Sequence, residues 1–163
     1  VERVISRISK TATVESASGG SFCIHHNRLF VISDNALKNS LKTIKKLKND
    51  TEFAGFRCKI YKDQTNLKAL HFNVEDLKGD SYLCFPQMGD RIELNGGSKT
   101  VLKVLQDMKI PRLLRLITPV VKDDSGVVAI FGSVWGGKDR LALRYRTENY
   151  LERTCVVVTC INK

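Results

Sequence analysis

The sequence predicts an α+β chain, a mostly antiparallel, β-sandwich-like core carrying two or three short helices. Apolar residues alternate with polar ones in several short stretches, such as Phe56, Cys58 and Ile60, or Leu70, Phe72 and Val74. Helical spacing is confined to a few brief segments. Turn signals divide the chain throughout, at Gly19-Gly20, Gly89-Asp90, Asn95-Gly96-Gly97 and Asp123-Asp124-Ser125-Gly126.

The elements follow in order. Val1, Val4, Ile5 and Ile8 fall at i, i+3, i+4 and i+7, the face of a helix whose tail opens the chain. A Thr- and Ser-rich stretch from Thr11 to Ser18 leads to the Gly19-Gly20 turn. Phe22 to His26 and Leu29 to Ser33 flank Asn27-Arg28 and predict a β-hairpin. Leu37, Leu41, Ile44 and Leu47 predict a helix with Asp34 or Asn35 as its N-cap and lysines on the other face. Strands are expected at Phe56 to Ile60, Leu70 to Val74, Tyr82 to Phe85 and Arg91 to Leu94. Ser98 is placed to cap a helix from Lys99 to Lys109, with Val101, Leu102, Leu105 and Met108 on its buried face. Pro111 ends it, because the residue before a proline is pushed out of helical geometry. A short turn from Arg112 to Arg115 then leads to strands at Ile117 to Val121 and Val127 to Val134, joined by the Asp123-to-Gly126 turn. Thr154 to Ile161, β-branched and apolar, is a final strand. The chain shows no internal repeat and no low-complexity linker.

Composition narrows the function classes. The chain has 163 residues, 42% of them hydrophobic, enough for a packed core. The longest apolar stretch, Val127 to Phe131, is far too short to cross a bilayer and fits a buried strand. There is no initiating Met and no signal peptide, so the expectation is a soluble, cytoplasmic chain that begins inside a longer polypeptide. Lys and Arg outnumber Asp and Glu by 27 to 17, a net charge of +10 that attracts polyanions, nucleic acid first. The excess is clustered. Leu37 to Lys68 carries nine basic and three acidic residues, and Ser98 to Lys122 six basic and one acidic. Of the two, the second frames a helix and its exit with Lys99, Lys103, Lys109, Arg112 and Arg115, suited to phosphate contacts. The five cysteines (Cys23, Cys58, Cys84, Cys155 and Cys160) form no Cys-x-x-Cys pair, which argues for buried reduced thiols rather than a zinc or redox motif.

Catalytic patterns are missing: there is no Gly-x-Ser-x-Gly, no His-Glu-x-x-His and no paired-carboxylate constellation, and no catalytic residue is assigned. Successive positions His25 and His26 on a strand would face opposite sides, with His71 distant, so no metal ligand is assigned either. Ser18-Gly19-Gly20-Ser21 precedes a strand rather than a helix and is expected to be a plain loop. Gly96-Gly97-Ser98-Lys99-Thr100 is the better anion site, because glycines would lead into the free amides of a helix N-terminus; capping by Ser98 explains the same residues. It is not a Walker motif, since Gly-Ser-Lys-Thr replaces Gly-Lys-Ser/Thr.

From Gly89 to Gly132 the chain resembles the C-terminal domain of tRNA(Ile)-lysidine synthetase. The residues that carry the likeness are Gly89-Asp90-Arg91-Ile92, Gly97-Ser98-Lys99 leading Val101-Leu102-Lys103-Val104-Leu105, Lys109-Ile110-Pro111, Arg115, Thr118-Pro119-Val120-Val121 and the strand from Val127 to Gly132. Order and spacing carry it, not any single tetrapeptide. The chain departs from the family pattern at Cys84-Phe85-Pro86-Gln87-Met88 before the Gly-Asp turn and at Arg112-Leu113 after the exit proline.

The resemblance implies a parent enzyme that uses ATP, with Mg2+, to join lysine to the wobble cytidine of an isoleucine tRNA. This chain lacks the family's Ser-Gly-Gly-x-Asp-Ser ATP loop, so no cofactor is expected here. The implied role is non-catalytic: gripping the tRNA, including its acceptor stem, alongside the N-terminal catalytic domain of the same polypeptide. On that reading residues 1–9 end a helix of a preceding domain, and residues 10–163 form the RNA-recognition domain, with the signature at about 82–135. The candidate RNA contacts are Arg91, Gly97, Ser98, Lys99, Lys103, Lys109, Arg112 and Arg115. A homodimer stays open. So do two other readings, a basic protein-interaction module and an accessory or editing-type domain of an aminoacyl-tRNA synthetase.

Overall fold

The structure, a computed structural model, describes residues 14–17, 19–62, 70–146 and 154–161. The helix tail expected over residues 1–9 lies outside them. Among the described residues every strand pairing is antiparallel and three α-helices are present, which is the predicted α+β class.

Strands β1 (Val14–Ala17), β2 (Gly20–His25) and β3 (Arg28–Ser33) form a three-stranded meander. The β2–β3 turn is His26-Asn27, one residue earlier than expected, since His25 pairs with Arg28 and both turn residues take positive φ (49° and 59°). That is the backbone a two-residue hairpin turn with the twist of its strands requires. His26 is therefore in the turn and exposed, while His25 is half-buried, its Nε2–H donating to the Trp135 carbonyl at 2.8 Å. Burial holds the His25 pKa below its ordinary value. Phe30 stands edge-on to Trp135 and joins the meander to the core.

Helix α1 (Asp34–Leu41) is capped by Ser33, whose Oγ accepts the Ala36 amide at 3.2 Å. It is shorter than the spacing predicted and buries no residue. The chain leaves it after Leu41 because Lys45 and Lys46 are taken up as β4 (Lys45–Lys46), paired with Leu83 and Tyr82. Ile44 is exposed as a result, and Leu47 is buried.

Strands β5 (Thr51–Phe53), β6 (Phe56–Lys62), β7 (Leu70–His71) and β14 (Thr154–Cys160) make a four-stranded sheet in the order β5-β6-β14-β7. A five-stranded sheet in the order β13-β12-β11-β8-β4 adds β8 (Tyr82–Cys84), β11 (Val120–Asp123), β12 (Gly126–Phe131) and β13 (Asp139–Leu141). The strand expected to reach Val74 stops at His71, and Val74 opens a 3-10 turn capped by Asn73. Likewise the strand expected to reach Val134 stops at Phe131, and residues 132–135 wind into a second such turn.

Side chains from both sheets share one buried cluster. Phe53 and Phe56 of the four-stranded sheet meet Phe85 beyond β8, and Phe56 also meets Trp135. Fully buried Phe53, Phe72, Phe131 and Ile130 each contribute about 1.5–3 kcal/mol over exposure. All five cysteines are thiols, four of them buried. Burial drives Cys58 up to about 12 and Cys84 up to about 11.

Candidate nucleic-acid interface

The candidate site begins at the Gly89-Asp90 turn. Gly89 takes φ 90°, a left-handed backbone open to glycine. Asp90 then ties three elements together. Its carboxylate accepts the Gln87 amide at 2.6 Å and pairs with Lys122 of β11 at 2.6 Å, with both side chains about four-fifths buried. Its carbonyl accepts the Val101 amide at 2.9 Å. Asp90 is thus committed to Lys122.

From there β9 (Arg91–Leu94) turns at Asn95-Gly96 into β10 (Gly97–Thr100), with Leu94 opposite Gly97 and Arg91 opposite Thr100. This corrects the expected helix start. Gly97 and Ser98 belong to a strand, and the helix, α2 (Val101–Asp107), is capped by Thr100, whose Oγ1 accepts the Lys103 amide at 3.4 Å. The physical reason is the hairpin register: pairing with β9 consumes all four residues from Gly97 to Thr100 before a helix can begin. The buried face is Val101, Val104 and Leu105, with Leu102 and Met108 half-buried. The anion site expected on free helix amides at Gly97 and Ser98 is accordingly not built.

The cations are nonetheless gathered. Arg91 lies across the hairpin, its Nε donating to Ser98 Oγ and its Nη2 to the Ser98 carbonyl, both at 2.9 Å. Those bonds hold the guanidinium plane and leave further N–H groups for an acceptor outside. Lys99 of β10 and Lys103 of α2 converge on one carboxylate, Asp107, at 3.5 and 3.3 Å. The hydrogen bond from Lys103, then the charges of Lys103 and Lys99, hold the Asp107 carboxyl below its ordinary range. Exposed pairs of this kind are worth at most about 1 kcal/mol, so a phosphate can recruit either lysine cheaply.

Beyond α2, Lys109 is exposed and takes φ 60° as the chain turns away from the helix. Pro111 leads into α3 (Arg112–Leu116), a helix where a turn was expected. Arg112 is exposed. Arg115 folds back, its Nε donating to the Ile110 carbonyl at 2.5 Å. Burial lowers the Arg115 pKa first, and the neighbouring Arg112 charge lowers it further, which brings the two guanidiniums into one field.

Two cations escaped the sequence reading. Arg140 and Arg146 come from the far end of the five-stranded sheet and the turn after it, and they meet Lys99 and Asp107 around a cavity of about 340 Å3. Arg146 Nη1 donates to Asn95 Oδ1 at 2.7 Å, across 51 positions of sequence. The basic run Lys138, Arg140, Arg144 and Arg146 was the available signal. Its members divide on folding: Arg144 turns inward, donating to the Val127 carbonyl at 3.1 Å and standing 3.7 Å from buried Asp123.

Gly19 lies in the β1–β2 turn with φ 87° and Gly20 opens β2, so a strand rather than a helix follows the two glycines. Among the described residues no group of three His, Cys, Asp or Glu side chains could hold a metal ion. No helix among them is long and apolar enough to cross a membrane.

Over 97 residues, 59% of this chain, the sequence is 32% identical to a tRNA(Ile)-lysidine synthase of Clostridioides difficile (strain 630). The chain resembles the tRNA(Ile)-lysidine synthases. That similarity agrees with the likeness carried by the Gly89-to-Gly132 signature, and it spans 21% of the length of the relative. A solved structure described as the crystal structure of a TILS C-terminal domain aligns with a TM-score of 0.49 and 16% identity, covering 67% of this chain and 87% of that one. No family profile matches the chain.

Proposed function

We propose that this chain is the tRNA-holding, C-terminal part of a tRNA(Ile)-lysidine synthase. The observation that carries the proposal is the 32% identity with a protein of that name. Supporting it are Arg91 and Lys99 on the hairpin, Lys103 on α2, Arg112 on α3, Lys109 between the two helices, and Arg140 and Arg146 at the sheet end, on elements that pack into one core. Rigid cations at fixed separations read the shape of a folded RNA through its phosphates, which suits selection of one tRNA among many. On this reading the chain grips the acceptor stem, and the catalytic chemistry belongs to another domain of the same polypeptide. That domain would use ATP and Mg2+ to join lysine to the wobble cytidine of tRNA(Ile).

Titrating the chain with folded tRNA(Ile), with the same tRNA carrying an altered acceptor stem, and with an acidic protein of similar charge tests the reading. Saturable binding of tRNA(Ile), several-fold weaker for the altered stem and absent for the acidic protein, is the expected result. Preference for the acidic protein would instead establish a protein-interaction module.

A further inference from the structure

The cavity beneath the β9–β10 turn differs from the rest of the basic surface in shape and in chemistry. Leu94 at the end of β9, with Val104 and Met108 from α2 and its C-cap, gives it an apolar lining, while Lys99, Arg140 and Arg146 stand around it. One carboxylate, Asp107, and one amide side chain, Asn95, share the same lining. At about 340 Å3 it lies at the small end of ligand pockets, which begin near about 300 Å3, so it takes a single ring with its substituents rather than a helix.

We infer that this cavity receives one unstacked nucleotide of the bound RNA, its phosphate on Arg140 and Arg146 and its base against the apolar wall, with Asp107 accepting a base amino group. The inference rests on the RNA-binding reading above and extends it from phosphate contact to base selection. Arginine is the cation suited to both tasks, because its planar fork matches a phosphate and its face stacks on a base. Arg146 is already held by Asn95 at 2.7 Å, so that fork is positioned before a ligand arrives. A carboxylate has no donor to offer. It favours a base with an exocyclic amine, such as cytosine or adenine, over uracil, whose corresponding groups are acceptors. The lysines on Asp107 do not block this, since a carboxylate has room for about four acceptor contacts and each lysine holds only one oxygen.

The probe is the free mononucleotide, followed by chemical-shift changes in the full chain. 5′-CMP should bind saturably, and 5′-UMP and inorganic phosphate at least threefold more weakly. Arg146→Ala, which removes an exposed side chain, should weaken 5′-CMP about tenfold, and Arg140→Lys should weaken it less than Arg140→Ala. Asp107→Ala should bring CMP and UMP to equal affinity while leaving phosphate binding intact. No saturable CMP binding up to about 10 mM, where the binding energy is under about 3 kcal/mol, overturns the inference. So does equal CMP and UMP binding by the unaltered chain. The two readings fail separately. A chain that binds tRNA but not CMP keeps the RNA-binding function and loses the pocket, whereas one that binds CMP but not tRNA does the reverse.

Discussion

Arg112 and Arg115 lie one helical turn apart on α3, and the structure gives them different work. Arg115 is half-buried and donates to the carbonyl of buried Ile110 at 2.5 Å, closing the turn through which the chain leaves α2. Removing it leaves that carbonyl without its side-chain donor, at a cost of about 1–3 kcal/mol. Arg112 is exposed and its side chain makes no hydrogen bond or ion pair among those described. Arg112→Ala should therefore leave the melting temperature unchanged and weaken tRNA binding several-fold. Arg115→Ala should lower the melting temperature by several degrees as well as weaken binding. Paired melts and titrations check both, and the assignment fails if Arg115→Ala melts like the unaltered chain. The sequence singled out both residues as contacts because both are arginines near a proline exit. It could not separate them, since the separation depends on which guanidinium reaches back to Ile110.

At the scale of elements, alternation and turn residues located β2, β3, β6, β8, β9, β12 and β14 but gave no sign of β1, β4, β5, β10 and β13, and helix boundaries suffered wherever a neighbouring strand competed. β6 and β14 run in register over seven residues, Phe56 against Cys160 through Lys62 against Thr154, and both were legible from β-branched and alternating apolar positions. The helix through Leu47 was cut short because pairing of Lys45 and Lys46 with β8 outweighs local helical spacing. The start of α2 moved from Lys99 to Val101 because either Ser98 or Thr100 can cap, and only the β9 register chooses between them. The end of α2 carries a prediction. Lys109 sits at φ 60°, a conformation that costs a residue with a Cβ about 1–2 kcal/mol and glycine nothing. Lys109→Gly relieves that strain while adding a comparable unfolded-state entropy. Its melting temperature should therefore stay level or rise. If Lys109 contacts phosphate, as its exposure allows, affinity for tRNA should fall in the same variant, and calorimetric melting with parallel titration separates the two effects. A marked loss of stability would show that the Lys109 side chain supports the fold instead.

For the whole molecule the question is how a net charge of +10 becomes a specific surface. Part of the charge is neutralised locally: Lys46 pairs with Asp80 at 2.5 Å, Arg57 with Asp50 at 2.5 Å and Lys122 with Asp90 at 2.6 Å. Two of those pairs take their cation from the stretch between Leu37 and Lys68. In the second basic cluster Lys99 and Lys103 share the Asp107 carboxylate, Lys109 and Arg112 are exposed, and folding adds Arg140 and Arg146 from residues that lie outside both sequence clusters. The basic run from Lys138 to Arg146 was its only trace in the sequence, because the placement depends on a contact between positions 95 and 146. The consequence is measurable. Each phosphate neutralised releases condensed counterions, so log K falls linearly with log salt at about 0.7–0.9 per phosphate. If about four phosphates are met by the hairpin, α2, α3 and the sheet end, the slope for tRNA should be roughly −3 to −4 between about 50 and 200 mM salt. Reversing Arg91 and Lys103 to Glu should flatten the slope by about two contacts or more, whereas Lys46→Glu and Arg57→Glu should change it little. A flat dependence in the unaltered chain would mean that phosphate contacts do not dominate, and would favour a partner recognised by other chemistry.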